Sequence, residues 1–220
     1  MTAEADKIWG EIKNDRTTVY QNQTMLDVFL SATDSLKLDH FLELSKTDRN
    51  KINGDVVSDL LLKSNNRIEI AKILGRTNLD KLDPHTIVEF LITTKNIKEM
   101  AEAFGEILNK LSEYNVYSLI FGASNTQTLM MVKALGKENL KKLRSDDIYH
   151  LIRTSDDPMR SYTPLKMASA LGKEILNSLI NRQIYDLIRG SKDRKRMVQA
   201  LGKENIDKLL MSQREELGIA

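Results

Sequence analysis

The sequence predicts an all-α protein, a short α-solenoid of tandem two-helix repeats that follows a non-repeat N-terminal segment. Five short motifs ending in glycine recur every 30 to 36 residues, at Gly75, Gly105, Gly136, Gly172 and Gly202. Apolar residues stand at fixed distances from each glycine with i, i+3, i+4 spacing, which is one face of a helix. Aromatic residues make up only 5% of the chain. A core of Leu, Ile, Val and Met suits stacked helix pairs, which bury their apolar faces against each other.

The array is expected to cover residues 36–220, in units that end near the five glycines. Residues 1–35 do not fit the repeat pattern, and we interpret them as an N-terminal cap or arm. Residues 36–44 are expected to form the first helix of the array. The segment from Gly202 to Ala220 reads as a last unit that stops after one helix. Atypical end units are common in repeat arrays, because they close the stack with a polar surface.

Three apolar columns define each predicted unit. Five residues before each glycine stand Ile70, Met100, Met131, Met167 and Met197. After each glycine comes a leucine column of Leu82, Leu111, Leu143, Leu179 and Leu209. The first helix of a unit, helix A, is anchored by Ile87, Val116, Ile148 and Ile184. All three columns are expected in the core, since Met readily fills gaps between packed helices.

The residues between the columns predict where each helix begins and ends. Asp83-Pro84 and Ser145-Asp146-Asp147 mark starts of helix A. A Ser or Thr followed by Asn or Asp is expected to cap helix B, the second helix. Each repeat glycine is expected just after helix B in the left-handed conformation. The prolines of residues 157–164 predict a loop between helices A and B of the longest unit.

The composition points away from catalysis and from bound cofactors. The chain has no cysteine and only three histidines, His40, His85 and His150, none with a partner at metal-ligand spacing. It lacks phosphate-binding glycine motifs and nucleophile motifs. We therefore predict a non-enzymatic protein without a cofactor or metal. The polar N-terminus and the short apolar runs predict a soluble, cytoplasmic protein that does not bind a membrane.

Charge is distributed unevenly along a chain whose formal net charge is only +2. Residues 136–220 hold 17 basic and 12 acidic side chains, so the excess of positive charge lies in the C-terminal repeats. Arg153 and Arg189 share one repeat position, and Tyr117, Tyr149 and Tyr185 share another. The expected contact residues are Arg153, Arg160, Tyr162, Arg189, Lys192, Arg194, Lys195 and Arg196.

Two functions fit this pattern. The leading hypothesis is a protein-interaction or structural scaffold whose partner is another protein or a second copy of the chain. The alternative is a nucleic-acid-binding solenoid, because basic turns beside tyrosines can hold phosphates or single-stranded bases. A single basic corner on a nearly neutral protein favours the first hypothesis.

The repeat also resembles known families across residues 50–210. The pattern over residues 143–205, Leu-x-x-x-x-Ile-x-x-Leu-Ile-x-x-Ser followed by Met-x-x-Ala-Leu-Gly-Lys-Glu-Asn, is similar to degenerate helical repeats of large tailed-phage proteins. That resemblance implies a virion, assembly or host-interaction protein. The unit also faintly resembles the two-helix repeats of DNA-reading effectors. The Gly-Gly pair that follows the base-reading residues there is missing here, which argues against a base code.

Overall fold

All regular secondary structure in the described residues is helical, which confirms the all-α prediction. The computed structural model describes residues 50, 52–64, 66–124, 126–154 and 163–219. The predicted cap or arm at 1–35 and the helix at 36–44 lie outside these residues. The chain divides into two compact parts, Met1–Asp83 and Pro84–Ala220, each described here by itself.

The helices follow the predicted order of A and B segments. In the first part, α1 (Gly54–Lys63) packs on α2 (Arg67–Leu79). In the second part the helices are α3 (Pro84–Thr93), α4 (Ile97–Phe104), a 3-10 helix (Gly105–Lys110), α5 (Glu113–Gly122), α6 (Thr128–Leu140), α7 (Ser145–Thr154), α8 (Pro164–Leu171), α9 (Lys173–Leu176), α10 (Asn181–Gly190), α11 (Arg194–Leu201), α12 (Lys203–Ile206) and α13 (Met211–Leu217). We number the repeat units I to V, covering residues 54–82, 84–111, 113–143, 145–179 and 181–209.

The helices of the second part stack in two layers. Helices α3, α5, α7, α10 and α13 pack one on the next and form the A layer, while α4, α6, α8 and α11 form the B layer in the same way. Within each unit, helix A also packs on helix B. Each helix is short, at most 13 residues, and such helices depend on neighbours for stability. A right-handed solenoid over residues 36–220 stays a prediction.

The predicted apolar columns form the core. The exposed fraction of the side chains is 3% or less throughout the column before the glycines and 4% or less throughout the leucine column. The anchors of helix A are at most 1% exposed. The core of each part is therefore apolar, and burial of this surface is the main stabilising term.

The repeat glycines have the positive φ that the sequence predicted, but their ψ differs from the expected left-handed helical value. Gly172 has φ 80° and ψ 156°, and Gly202 has φ 81° and ψ 164°. This combination lies in a region that is essentially restricted to glycine. Its effect is to end helix B and to redirect the chain at once into another helical segment.

That segment is a third helical element of the unit, so the prediction of two helices per unit was incomplete. It follows the glycine as the 3-10 helix in unit II, as α9 in unit IV and as α12 in unit V. In units I and III it forms the last turn of α2 and α6, beyond the kinks at Gly75 and Gly136. We call this element the C turn.

The predicted side-chain caps of helix B are confirmed at α4 and α11, whereas α2 and α6 begin without a side-chain cap. Asn96 and Asp193 accept hydrogen bonds from backbone amides at the starts of α4 and α11. Pro84 and Ser145 begin α3 and α7 as expected. Of the predicted loop at 157–164, residues 157–162 lie outside the described residues, Thr163 caps α8, and Pro164 is the first residue of that helix rather than part of a loop.

A buried asparagine and a lysine connect the C turn of unit III to unit II. Asn139 is 3% exposed, and its Nδ2 donates to the carbonyl oxygen of Leu135 at 2.9 Å. Its Oδ1 accepts from Lys142 Nζ at 3.0 Å. The same Nζ donates to the carbonyl oxygens of Asn109 at 2.9 Å and Leu111 at 2.7 Å. We call this arrangement the Asn–Lys clamp.

The clamp occurs in alternate units. It recurs in units I and V, through Asn78 with Lys81 and Asn205 with Lys208. In units II and IV, Ile107 and Ile175 take the place of the asparagine. Ser178 stands at the lysine position of unit IV, and its hydroxyl donates to the carbonyl oxygen of Ile175 within the same unit. The structural repeat is thus a pair of units, of which one carries the clamp and the other receives it.

Candidate interaction surface

The exposed side of the A layer is built from three repeat positions, of which each unit from II to V contributes one to three. These positions lie one, two or five residues after the buried anchor of helix A, on the side away from helix B. We call the resulting surface of the second part the A face; its members are Ile92, Tyr117, Phe121, Tyr149, His150, Arg153, Tyr185 and Arg189. Its side chains are apolar or aromatic in units II and III, whereas units IV and V present arginines, with Asp186 at the repeat position of His150 in unit V.

Unit III contributes an aromatic cluster to the A face. The rings of Tyr117 and Phe121 stack almost in parallel, with centroids 5.6 Å apart and planes at 10°. His150 of the next A helix lies 5.4 Å from the Phe121 ring. The Tyr117 hydroxyl is 2.7 Å from Nδ1 of His150. Phe121 is nevertheless 38% exposed, so the cluster presents an ordered apolar surface.

Units IV and V repeat a different arrangement. The guanidinium carbon of Arg153 lies 5.8 Å from the centroid of the Tyr149 ring, and Arg189 lies 5.8 Å from that of Tyr185. Each arginine is thereby held along a ring face by a cation–π interaction. The Tyr185 hydroxyl donates to a carboxylate oxygen of Glu216 in α13, and this hydrogen bond raises the pKa of the phenol. The structure therefore brings together the predicted Tyr and Arg columns in pairs.

The basic turn next to Arg189 is fully exposed. Lys192 precedes α11, and Arg194, Lys195 and Arg196 form its first turn. The Asp193 side chain accepts from the Arg196 amide at 3.0 Å and lies 3.4 Å from the Arg196 guanidinium. Cations at a helix N-terminus oppose the helix dipole. Helix stability therefore does not account for three basic residues at this position.

Other predicted residues fall elsewhere. Arg160, Tyr162 and His40 lie outside the described residues. His85 is exposed in the first turn of α3 and is not a member of the A face. The sequence analysis missed Phe121 and assigned His150 no particular role. Phe121 occupies the repeat position of Arg153 and Arg189. A comparison of the residues at that position in all units would have identified it.

An open groove of about 270 Å³ lies between units III and IV, where α6 and α8 pack together. Lys133, Lys137 and Lys173 line its rim. Glu174 forms ion pairs with Lys137 and, at 3.1 Å, with Lys141. Hydrogen bonds from these two lysines lower the pKa of the Glu174 carboxyl. The groove lies on the B side and shares no residue with the A face.

Within the described residues, no group of three or more His, Asp or Glu side chains is placed to hold a metal ion. No helix in the same residues has the length and apolar character needed to cross a bilayer. The chemistry available on the A face is thus that of aromatic rings, one imidazole and guanidinium groups.

No family model, curated protein or solved structure gives a significant match to this chain. The resemblance to tailed-phage repeats accordingly stays a prediction.

Proposed function

We propose that this protein is a non-enzymatic scaffold that binds a protein partner through the A face and the adjoining basic turn. The observation that carries the proposal is the repetition of exposed, internally ordered side chains at the same positions of successive units. Two Tyr–Arg pairs have the same separation, 5.8 Å, on neighbouring helices. Such repetition fits recognition of an extended partner, which would contact one unit after another.

Prior ordering of the A face favours binding. Association costs free energy when mobile side chains become fixed, and this cost falls when they are already held in place. Arg153 and Arg189 rest on rings, while His150 contacts both Tyr117 and Phe121. Arginine and tyrosine are also the residue types that contribute most to protein interfaces.

A nucleic-acid-binding scaffold is the second candidate, favoured by the basic turn at the start of α11. Single-stranded bases bind such proteins by stacking on open aromatic faces. One face of each column tyrosine is already covered, by Phe121 in unit III and by an arginine in units IV and V. These contacts favour a protein partner.

The resemblance to tailed-phage repeats suggests a setting for this function. In a virion or an assembly complex, the partner would be another structural protein or a second copy of the chain. In the cytoplasm it would be a soluble protein. The same surface serves in each case.

A photo-crosslinking amino acid at two matched positions tests the proposal. Phe121 on the A face and Met130 on the B layer are 38% and 46% exposed. In extract of the source cells, we expect position 121 to give discrete crosslinked polypeptides that position 130 does not. Excess unlabelled protein should abolish them. Charge reversal at Arg194, Lys195 and Arg196 should weaken them while leaving the helical circular dichroism and the melting temperature nearly unchanged.

The alternatives give different products. Crosslinks in the purified protein alone identify the partner as a second copy. Crosslinks to nucleic acid at position 121 would replace the proposal by the second candidate. Equal yields at both positions, or none at position 121, would contradict a specific A face.

A further inference from the structure

We infer that the A face of units III to V binds an extended acidic segment of the partner, with an apolar residue followed by carboxylates at every third position. This inference rests on the proposed function and adds the chemistry of the partner. Arg153 and Arg189 would each receive one carboxylate. The cluster of Tyr117, Phe121 and His150 would receive the apolar residue.

Both arginines have unused hydrogen-bonding capacity. Within the described residues, neither Arg153 nor Arg189 forms an ion pair, and each is exposed. A cation–π contact uses none of the guanidinium N–H donors. Those donors match a carboxylate in a two-hydrogen-bond arrangement, which is among the stronger hydrogen-bonded pairs in proteins.

The spacing of the helices selects the spacing of the ligand. Helices α5, α7 and α10 pack one on the next, and packed helices lie about 8–10 Å apart. A polyproline II segment repeats its side-chain direction every three residues, with a rise of about 3.1 Å per residue. Three residues therefore advance about 9 Å and return a side chain to the same side. A β-strand returns a side chain to the same side every two residues, so its side chains would not stay aligned with successive helices.

The surrounding charges favour acidic groups at one end of this path. Lys192, Arg194 and Lys195 continue the surface beyond Arg189, and none of them forms an ion pair within the described residues. The N-terminus of α11 adds its partial positive charge at the same place. At the other end Ile92 and Phe121 are exposed apolar side chains, at 45% and 38%. The partner segment would therefore place an apolar residue at unit III and an acidic residue at each of units IV and V.

Fluorescence anisotropy with a labelled nine-residue peptide tests this arrangement on the full-length protein. The probe is Leu-Pro-Ser-Glu-Pro-Ser-Glu-Pro-Ser, which favours polyproline II and places the two glutamates three residues apart. Three competitors have the same length: a glutamine version, a permuted version with adjacent glutamates, and an oligothymidine. We expect saturable binding of the probe and at least about fivefold weaker binding of the glutamine and permuted peptides.

The variants identify the receiving groups. Arg153→Gln and Arg189→Gln should each weaken probe binding roughly five- to tenfold, as loss of one charge-assisted pair requires. Arg182→Gln is the matched control, because Arg182 is exposed on the first turn of α10 and contacts no column tyrosine. It should change the affinity less than about twofold. Phe121→Ala should weaken the probe and leave a leucine-to-glycine version of it unaffected.

Equal loss in all three arginine variants would mean that net charge alone attracts the probe, and it would overturn the inference. Equal affinity for the permuted peptide would overturn the three-residue spacing. No binding of any peptide, combined with specific crosslinks at position 121, would reject the acidic segment and leave the scaffold function standing. Preferential binding of oligothymidine, with nucleic acid crosslinked at position 121, would reject both.

Discussion

The C turns of units III and IV have almost the same backbone but different interiors. Each follows a glycine with positive φ and leads to a buried leucine, Leu143 or Leu179. In unit III the space beneath the turn holds Asn139 and the amine of Lys142, whereas in unit IV it holds Ile175. One backbone is thus supported either by a hydrogen-bonded clamp or by apolar packing. Only the clamp reaches the carbonyl groups of the preceding unit.

The difference has a physical consequence for the junctions between units. A clamp attaches the C turn of one unit to the end of the preceding unit through directional hydrogen bonds to buried or half-buried groups. Apolar packing is less directional and tolerates sliding better. In the second part of the chain, units II and III are therefore joined more specifically than units III and IV. The open groove lies at the junction that lacks a clamp.

The largest effect is expected from Asn139→Leu. The substitution leaves the buried carbonyl of Leu135 without its side-chain donor and removes an acceptor from Lys142. An unsatisfied buried polar group costs about 1–3 kcal/mol, and a charged partner adds to this. We expect the free energy of unfolding to fall by about 3 kcal/mol in urea denaturation.

Gln199→Leu serves as its control, because Gln199 is an exposed amide on α11 and takes no part in a clamp. It should cost less than half as much. Equal losses in the two variants would show that the clamp contributes no more than an ordinary surface amide.

How much of this could be predicted depends on the kind of interaction. The apolar columns were readable because burial imposes a helical period, as with Met131 and Leu143. The clamp was also present in the sequence, as Leu-Gly-x-x-Asn-x-x-Lys-Leu at three of the five glycines. It was overlooked because lysine is usually exposed. Only the fold shows that Lys142 reaches backward to carbonyl oxygens of residues more than 30 positions earlier.

The site was predicted in a similar, partial way. The repeat register assigned Arg153 and Arg189 to one repeat position and Tyr149 and Tyr185 to another. It did not predict that each arginine contacts the tyrosine of its own helix. That contact depends on side-chain torsions, which a repeat pattern does not determine. The third helical element was missed because its four residues are too few to show a period.

An intermediate effect is expected when the clamp is built into unit IV. Ile175→Asn alone removes buried apolar surface and inserts an amide, which should cost about 2 kcal/mol. Adding Ser178→Lys supplies the missing amine, which can reach the carbonyl groups at the end of unit III. The double variant should recover about 1 kcal/mol of this loss.

The control is Ser178→Lys alone, which should change stability by less than about 0.5 kcal/mol because residue 178 is exposed. Additive effects in this double-mutant cycle would mean that the two residues do not act together. The clamp of unit III would then depend on features other than its Asn–Lys pair.

The smallest effect is a difference in pH dependence between two neighbouring lysines. Burial lowers the pKa of Lys142, whereas hydrogen bonds to Glu138 and Glu174 raise the pKa of Lys141. Around the ordinary lysine pKa of about 10.4, the unfolded chain binds more protons than the folded chain at residue 142 and fewer at residue 141. The contribution of Lys142 to stability therefore rises with pH between its folded and unfolded pKa values. The contribution of Lys141 is complete below the unfolded pKa and is lost as the pH rises through the folded one.

Lys142→Met and Lys141→Met separate the two contributions when each is compared with the unsubstituted protein. Between pH about 8 and about 11, the free energy of unfolding of the Lys142→Met variant should fall relative to that of the unsubstituted protein. That of the Lys141→Met variant should rise relative to it. The measurement is the urea midpoint at each pH, at fixed ionic strength. Parallel profiles would mean that Lys142 is solvated like Lys141. The amine of the clamp would then lie in water, and the contrast between clamped and unclamped units would reduce to the buried asparagine.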